Sequence, residues 1–271
     1  MSESLNPQAA QMADESMVRT LAAQALAIWP QEEPIFRRHG LTEGARVLDA
    51  GCGTGEISSR LATLFPTANV VGVDILEGPL AIARARHAAL APRLSFKQAS
   101  IFELPFADGA HALTVCRHVL QSIPHSARAL AELSRVTAKG GRLHLIAEDY
   151  GMIHFPDAPG GPRDFFPRGP RAFGAATGTD MFIGRHIHGM LRAAGLSEIQ
   201  IEYAVVDTLR VPREIFADIW TAWRDGYVDP IAEHTEYSAD AARAAFDDMI
   251  ATLRDPSQYA VWMVPIVSAR V

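Results

Sequence analysis

The sequence predicts an α/β fold built on a mainly parallel sheet, and three observations carry that prediction. Short apolar strands alternate with helix-period segments from residue 46 to residue 148. A triple-glycine turn, Gly51-Cys52-Gly53-Thr54-Gly55, joins the first strand to the helix that follows it. The second strand closes on an acidic residue, Asp74, at the rim where open sheets of this kind place their ligands. Parallel neighbours need crossover connections, so helices are expected on both faces of the sheet.

The elements follow in chain order. Residues 1–12 are polar and predicted to be loose. Residues 14–29 read as a helix with Val18, Leu21, Ala22, Ala25 and Trp29 on one face, ended by Pro30. Strands are expected at 46–50, 70–74, 94–98, 112–116 and 142–148, and helices at 56–64, 78–90 and 126–137. Residues 151–178 hold many Pro and Gly, four Phe and three Arg without either period, which predicts a long loop on the active-site side. A helix at 184–194 leads to a strand at 198–207. Residues 212–254 look helical, with Ile215, Phe216, Ile219, Trp220 and Trp223 on one side and a second helix at 239–253. A strand at 259–268 follows.

Composition bounds the function. A chain of 271 residues, 48% apolar, can build a sizeable core without disulfides, and its two cysteines, Cys52 and Cys116, make no secreted-protein framework. A formal charge of −6 with no concentrated Lys/Arg tract argues against nucleic-acid binding. No apolar run reaches the length of a membrane span, and the polar, acidic start is unlike a signal peptide. A cytoplasmic protein acting on a small molecule is the expectation.

The glycine turn is the most informative motif. Glycines at alternate positions permit unusual backbone angles and let a ligand touch the main chain. A dinucleotide turn is usually spaced G-x-G-x-x-G, with a pyrophosphate on the helix N-terminus. Here the spacing is G-x-G-x-G behind Asp49, a carboxylate that repels a pyrophosphate and attracts an ammonium. Asp74 suits the ribose diol of NAD or of S-adenosylmethionine equally, and either Asp can also serve as a local cap.

These residues, together with Val70 to Ile75, Gln98 to Phe106, Arg117-His118-Val119-Leu120 and Ala138-Lys139-Gly140-Gly141-Arg142, make residues 40–150 resemble the class I S-adenosylmethionine-dependent methyltransferases, in particular the small-molecule group of ubiquinone and menaquinone methylases. A weaker echo lies at Gly184-Arg185 and Leu191 to Leu196. The resemblance implies a Rossmann-like, seven-stranded sheet whose last strand is antiparallel, with 199–208 and 260–268 as its final pair. It further implies an N-terminal helical lid at 1–39, a catalytic core at 40–211 and 256–271, and a helical insertion at 212–255 over the substrate side. The cofactor is then S-adenosyl-L-methionine. Asp49 lies near its ammonium, Gly51, Gly53 and Gly55 line its methionyl end, Asp74 holds the ribose and Ile75 touches the adenine. Ser100 and the Ile101 backbone meet the adenine amino group, although the family usually has Asp where this chain has Ser100, and a hydroxyl accepts more weakly. Arg117 is placed to contact the carboxylate.

Methyl transfer from a sulfonium depends mainly on alignment. A hydroxyl acceptor also needs its proton removed, and His118 is the first candidate base, with Tyr150 and His154 behind the fifth strand as further catalytic candidates beside Asp149. His118 can equally be a packing group. His186-x-His188 and Asp149 with His154 lack a complete ligand set, so no metal is expected. Phe216, Trp220, Trp223 and Tyr227, with Phe165, Phe166, Phe173 and Phe182, can wall an apolar pocket, while Arg163, Arg168 and Arg171 raise the option of a carboxylated acceptor. The expectation is O-methylation of a small aromatic or hydrophobic acceptor. N- or C-methylation, a cyclisation or rearrangement on the same fold, and a non-catalytic cofactor-binding protein are the alternatives. The apolar side of the insertion can cover a pocket or a second subunit, with a homodimer the modest preference.

Overall fold

The computed structural model describes residues 15–156 and 165–271. The polar stretch 1–12 and Arg163 lie outside them. The chain opens with helix α1 (Glu15–Arg38) and then alternates β1 (Arg46–Ala50), α2 (Glu56–Leu64), β2 (Asn69–Asp74), α3 (Glu77–Arg86), β3 (Leu94–Gln98), β4 (His111–Arg117), α4 (Ser126–Val136) and β5 (Thr137–Ile146). The second half holds β6 (Ile153–His154), α5 (Phe165–Thr177), α6 (Ile187–Ala193), β7 (Ser197–Asp207), α7 (Arg213–His234), α8 (Ala239–Arg254) and β8 (Val261–Arg270).

Strands β3, β2, β1, β4 and β5 are parallel neighbours in that order, and β8 runs antiparallel between β5 and β7. The sheet has eight strands rather than seven. The chain leaving β5 makes a 3-10 turn at Tyr150–Met152 and returns to the same edge of β8, where Ile153 pairs with Trp262 and His154 with Val261. The central strands β1 and β4 are buried along most of their length because both faces are covered, whereas the edge strand β3 is largely exposed. Leu48, Leu143 and Leu145 pack toward α4 and α6, whereas Val47, Leu113 and Val115 pack with Leu61 of α2 and Phe36 of α1. A third apolar cluster joins α1, α5, α7 and α8 around Trp220, Phe216, Phe246 and Trp262.

Two expectations about helices fail for identifiable reasons. α1 does not stop at Pro30 but runs through Pro30 and Pro34. Both prolines are exposed, as is Leu26, so carbonyls deprived of their usual donors can be hydrated, while Ile28, Ile35 and Phe36 bury the opposite face. The expected loop at 151–178 contains the thirteen-residue helix α5. Its Phe165, Phe166 and Phe173 are buried, and that tertiary packing outweighs Pro170 and the glycines.

Candidate active site

The register of the parallel strands brings Ala50, Asp74, Arg117 and Ile146 to one rim of the sheet. A cleft opens there. Gly51 and Gly53 form its floor, Asp74, Ile75, Ser100 and Ile101 one side, and Arg117, His118 and Glu148 the other. Thr20, Leu21 and Gln24 of α1 and Trp223 and Tyr227 of α7 wall it from above.

The floor tolerates glycine alone. Gly51 and Gly53 have φ of +75° and +52°, and a Cβ would lie 2.3 Å from Val119 Cγ2 at the first and 2.6 Å from Leu21 Cδ1 at the second. Gly55 differs from expectation. It is the left-handed cap of α2, lies away from the cleft, and would clash with Phe96 if it bore a side chain.

The two acidic residues differ in burial, Asp74 being half-buried and Asp49 buried. Asp74 accepts from the Gly53 N–H at 2.9 Å and the Leu76 N–H at 3.0 Å, and burial raises its pKa against those donors. Asp49 sits beside the cleft in a smaller recess shared with Leu21, Gln24, Gly51, Arg117 and His118. It accepts from Ser58 Oγ at 2.6 Å, and burial pushes its pKa up to about 6.

Arg117 is anchored from outside the sheet. Its Nε donates to Oε1 of Glu32, on α1, at 2.9 Å, and the same oxygen accepts from His144 Nε2 at 2.9 Å. Arg117 Nη2 is buried with no protein partner. Its neighbour His118 ends β4 with φ +57°, a strained angle for a residue other than glycine, and this turns the imidazole toward β5. Nδ1 of His118 lies 2.5 Å from Glu148 Oε1, and both side chains are nearly inaccessible to water. A carboxylate only accepts, so Nδ1 carries the proton, and Nε2, which has no protein partner, presents a lone pair when the ring is neutral.

Tyr150 lines the same cleft, but burial, aided by Tyr227 and Glu148, drives its pKa well above the ordinary phenol value. It therefore keeps its proton and donates; it is no base. His154 is a correction: pairing of β6 with β8 leaves it exposed and away from the cleft. Asp149 is occupied by Arg185, whose Nε and Nη2 reach it at 2.7 and 2.6 Å. His186 pairs with Asp180. Of the expected aromatic wall, Trp223 and Tyr227 face the cleft, while Phe165 and Phe216 are core. Arg168 is held by Glu236 and Arg171 stacks over Phe182, so neither lines the cleft. Among the described residues, no three His, Cys, Asp or Glu side chains converge to hold an ion.

Residues 47–141 match the family model described as a methyltransferase domain. These residues form a methyltransferase domain of the S-adenosylmethionine-dependent kind. Demethylmenaquinone methyltransferase of Thermus thermophilus is 36% identical to this chain over 116 residues, which cover 43% of this chain and 50% of that protein. The chain spans half or less of the length of curated relatives it matches. Among solved structures, phosphoethanolamine N-methyltransferase 2 of Haemonchus contortus superposes with a TM-score of 0.62 at 17% identity, covering 98% of this chain and 60% of that one. The [4+2]-cyclase SpnF superposes with a TM-score of 0.53 at 25% identity, covering 90% and 83%.

The cleft of this methyltransferase domain suits the chemistry of S-adenosylmethionine. Asp49, buried, and Asp74, half-buried, would suit an ammonium and a diol, and Arg117 Nη2, without a protein partner, would suit a carboxylate. The apolar side chains of Val73, Ile75 and Ile101 offer a slot for a flat base. The local sequence marked the glycine turn, Asp74 and Arg117. Glu32, Gln24, Gln121 and Glu148 went unnoticed. Glu148 follows a buried strand just as Asp74 does, and that signal was sufficient to find it.

Proposed function

We propose that this chain transfers the methyl group of S-adenosylmethionine to oxygen on a small acceptor with an aromatic or apolar body. The observation that carries the reading is the buried His118–Glu148 pair in the cleft wall, with His118 Nε2 lacking a protein partner. When bound, the cofactor supplies an electrophilic methyl on a sulfonium. Asp49 would face the ammonium and Arg117 the carboxylate, with Gly51 and Gly53 giving backbone approach. Asp74 would take the ribose hydroxyls, and Ile75, Ser100 and Ile101 the adenine. His118 Nε2 accepts the acceptor's hydroxyl proton, and Glu148 stabilises the imidazolium that results. Tyr150 donates a hydrogen bond that orients the acceptor. α1 and the insertion at 212–255 act as the lid that excludes water.

A mass-spectrometric screen of phenols and enols with S-adenosylmethionine tests this directly, and products gaining one O-methyl group are expected. His118→Ala should lower kcat by roughly 10²–10⁴-fold while S-adenosylhomocysteine affinity, read by calorimetry, is retained. Unchanged turnover in that variant removes the base role, and no binding of S-adenosylhomocysteine to the parent protein sinks the whole reading. The likeness to a cyclase supports a second reading, a ring closure on the same cleft. Its signature is a product without an added methyl group.

A further inference from the structure

A second, smaller cavity adjoins the cleft between α5, α7 and α8. Tyr150, Trp223 and Tyr227 belong to the walls of both, so these three rings form the threshold between them. Beyond the threshold the walls are Phe166, Phe173, Met181, Ile231 and Phe246, and no nitrogen or oxygen is presented to the space. Water there would lack hydrogen-bond partners, so an apolar occupant is favoured over solvent.

Glycine lets two helices approach closely at the wall of this space. Gly169 of α5 faces Ile231 of α7, and a Cβ at Gly169 would lie 3.1 Å from both Ile231 Cγ1 and Cδ1. The rings at the threshold are held edge to face: Tyr150 meets Trp223 and Phe166 at 5.5 Å with interplanar angles of 87°. On the cleft side of the threshold stands His118, whose Nε2 lacks a protein partner.

We infer that this chamber is an acceptor subsite for an apolar chain, and that the acceptor is an aromatic hydroxyl compound carrying a short alkyl substituent. This rests on the methyl-transfer reading above. The hydroxyl lies toward His118, the ring lies among Tyr150, Trp223 and Tyr227, and the chain enters the chamber. The chain contributes binding energy remote from the reacting oxygen, which fixes the oxygen's position.

Calorimetric titration with 4-alkylphenols, from methyl to octyl, tests the inference on the protein both alone and with S-adenosylhomocysteine. Affinity should rise about fourfold for each methylene buried and level off once the chamber is filled. Gly169→Leu should move that plateau to a shorter chain, and Ile231→Ala to a longer one. An affinity independent of chain length, absence of binding, or plateaus unmoved in both variants overturns it. S-adenosylhomocysteine binding without a chain-length dependence defeats the subsite and leaves the methyl-transfer reading standing, whereas loss of that binding strikes the reading itself.

Discussion

Glu32 and Arg117, 85 residues apart in sequence, meet at 2.9 Å where the side chains are 0% and 7% exposed. Arg117 holds the Glu32 carboxylate below its ordinary pKa against the opposing effect of burial, with His144 assisting. The row continues outward, for His144 Nδ1 lies 3.0 Å from Nε2 of the half-buried His39. With Nε2–H on both rings, His39 donates to His144 and His144 to Glu32. One helix outside the sheet thereby fixes a guanidinium that faces the cleft.

A buried ion pair is costly to halve and cheaper to replace. Glu32→Leu should destabilise the fold by about 3–5 kcal/mol. Adding Arg117→Met should recover most of that loss. Urea denaturation of the two variants checks the order, and a double variant no better than the single contradicts it.

His39 gives the row a pH signature. Burial, followed by the neighbouring His144, lowers its pKa to about 3. Below pH 6.5 the unfolded chain binds a proton that the folded protein refuses, so stability falls with acid. The loss attributable to His39 is on the order of 1.4 kcal/mol per pH unit between 6.5 and 3. Asp49 runs the other way, because its folded pKa is raised and protonation between 6 and 3.8 relieves its burial. The stability of His39→Gln relative to the parent isolates the histidine and should rise from pH 7 to pH 5.

Cofactor affinity should also depend on Asp49. Ionised, it attracts an ammonium; below pH 6 it is increasingly neutral. S-adenosylhomocysteine affinity is expected to fall by up to about tenfold per pH unit below 6. Asp49→Asn should bind more weakly at pH 7 and show a flatter profile. Parallel calorimetric profiles for the two proteins would assign the pH effect elsewhere.

The floor of the cleft predicts a compensating pair. Gly51→Ala adds a left-handed backbone cost of roughly 1–2 kcal/mol and a collision with Val119 Cγ2. Val119→Ala relieves the collision alone, so the double variant should regain part of the stability and retain the backbone cost. Additive losses in a thermal-unfolding cycle contradict this account.

The strands and the cofactor turn were legible because their information is local. Asp74 closes an apolar strand, and Gly51 and Gly53 announce a backbone approach within a few residues. His118 was legible only as a candidate, since its partner Glu148 lies 30 residues on, just past a strand paired with its own. Glu32 carried a quieter mark, an acid on the buried face shared by Ile28, Ile35 and Phe36, hidden by the assumption that Pro30 ends the helix. His154 was placed near the mouth by sequence proximity, and strand pairing sent it outward. In α5, glycine and proline content masked three buried phenylalanines whose partners lie mostly beyond residue 215.

The attachment of α1 also governs the timing of assembly. Gln31 bonds both the N–H and the C=O of Val205, Arg38 pairs with Glu202, and Arg19 pairs with Asp225. During synthesis this early helix must wait for partners made some 165 to 205 residues later. Loop closure over such distances is slow compared with local helix formation. Until β7 and α7 emerge, the upper wall is missing, so a nascent chain can hold the glycine floor long before it can shelter a ligand.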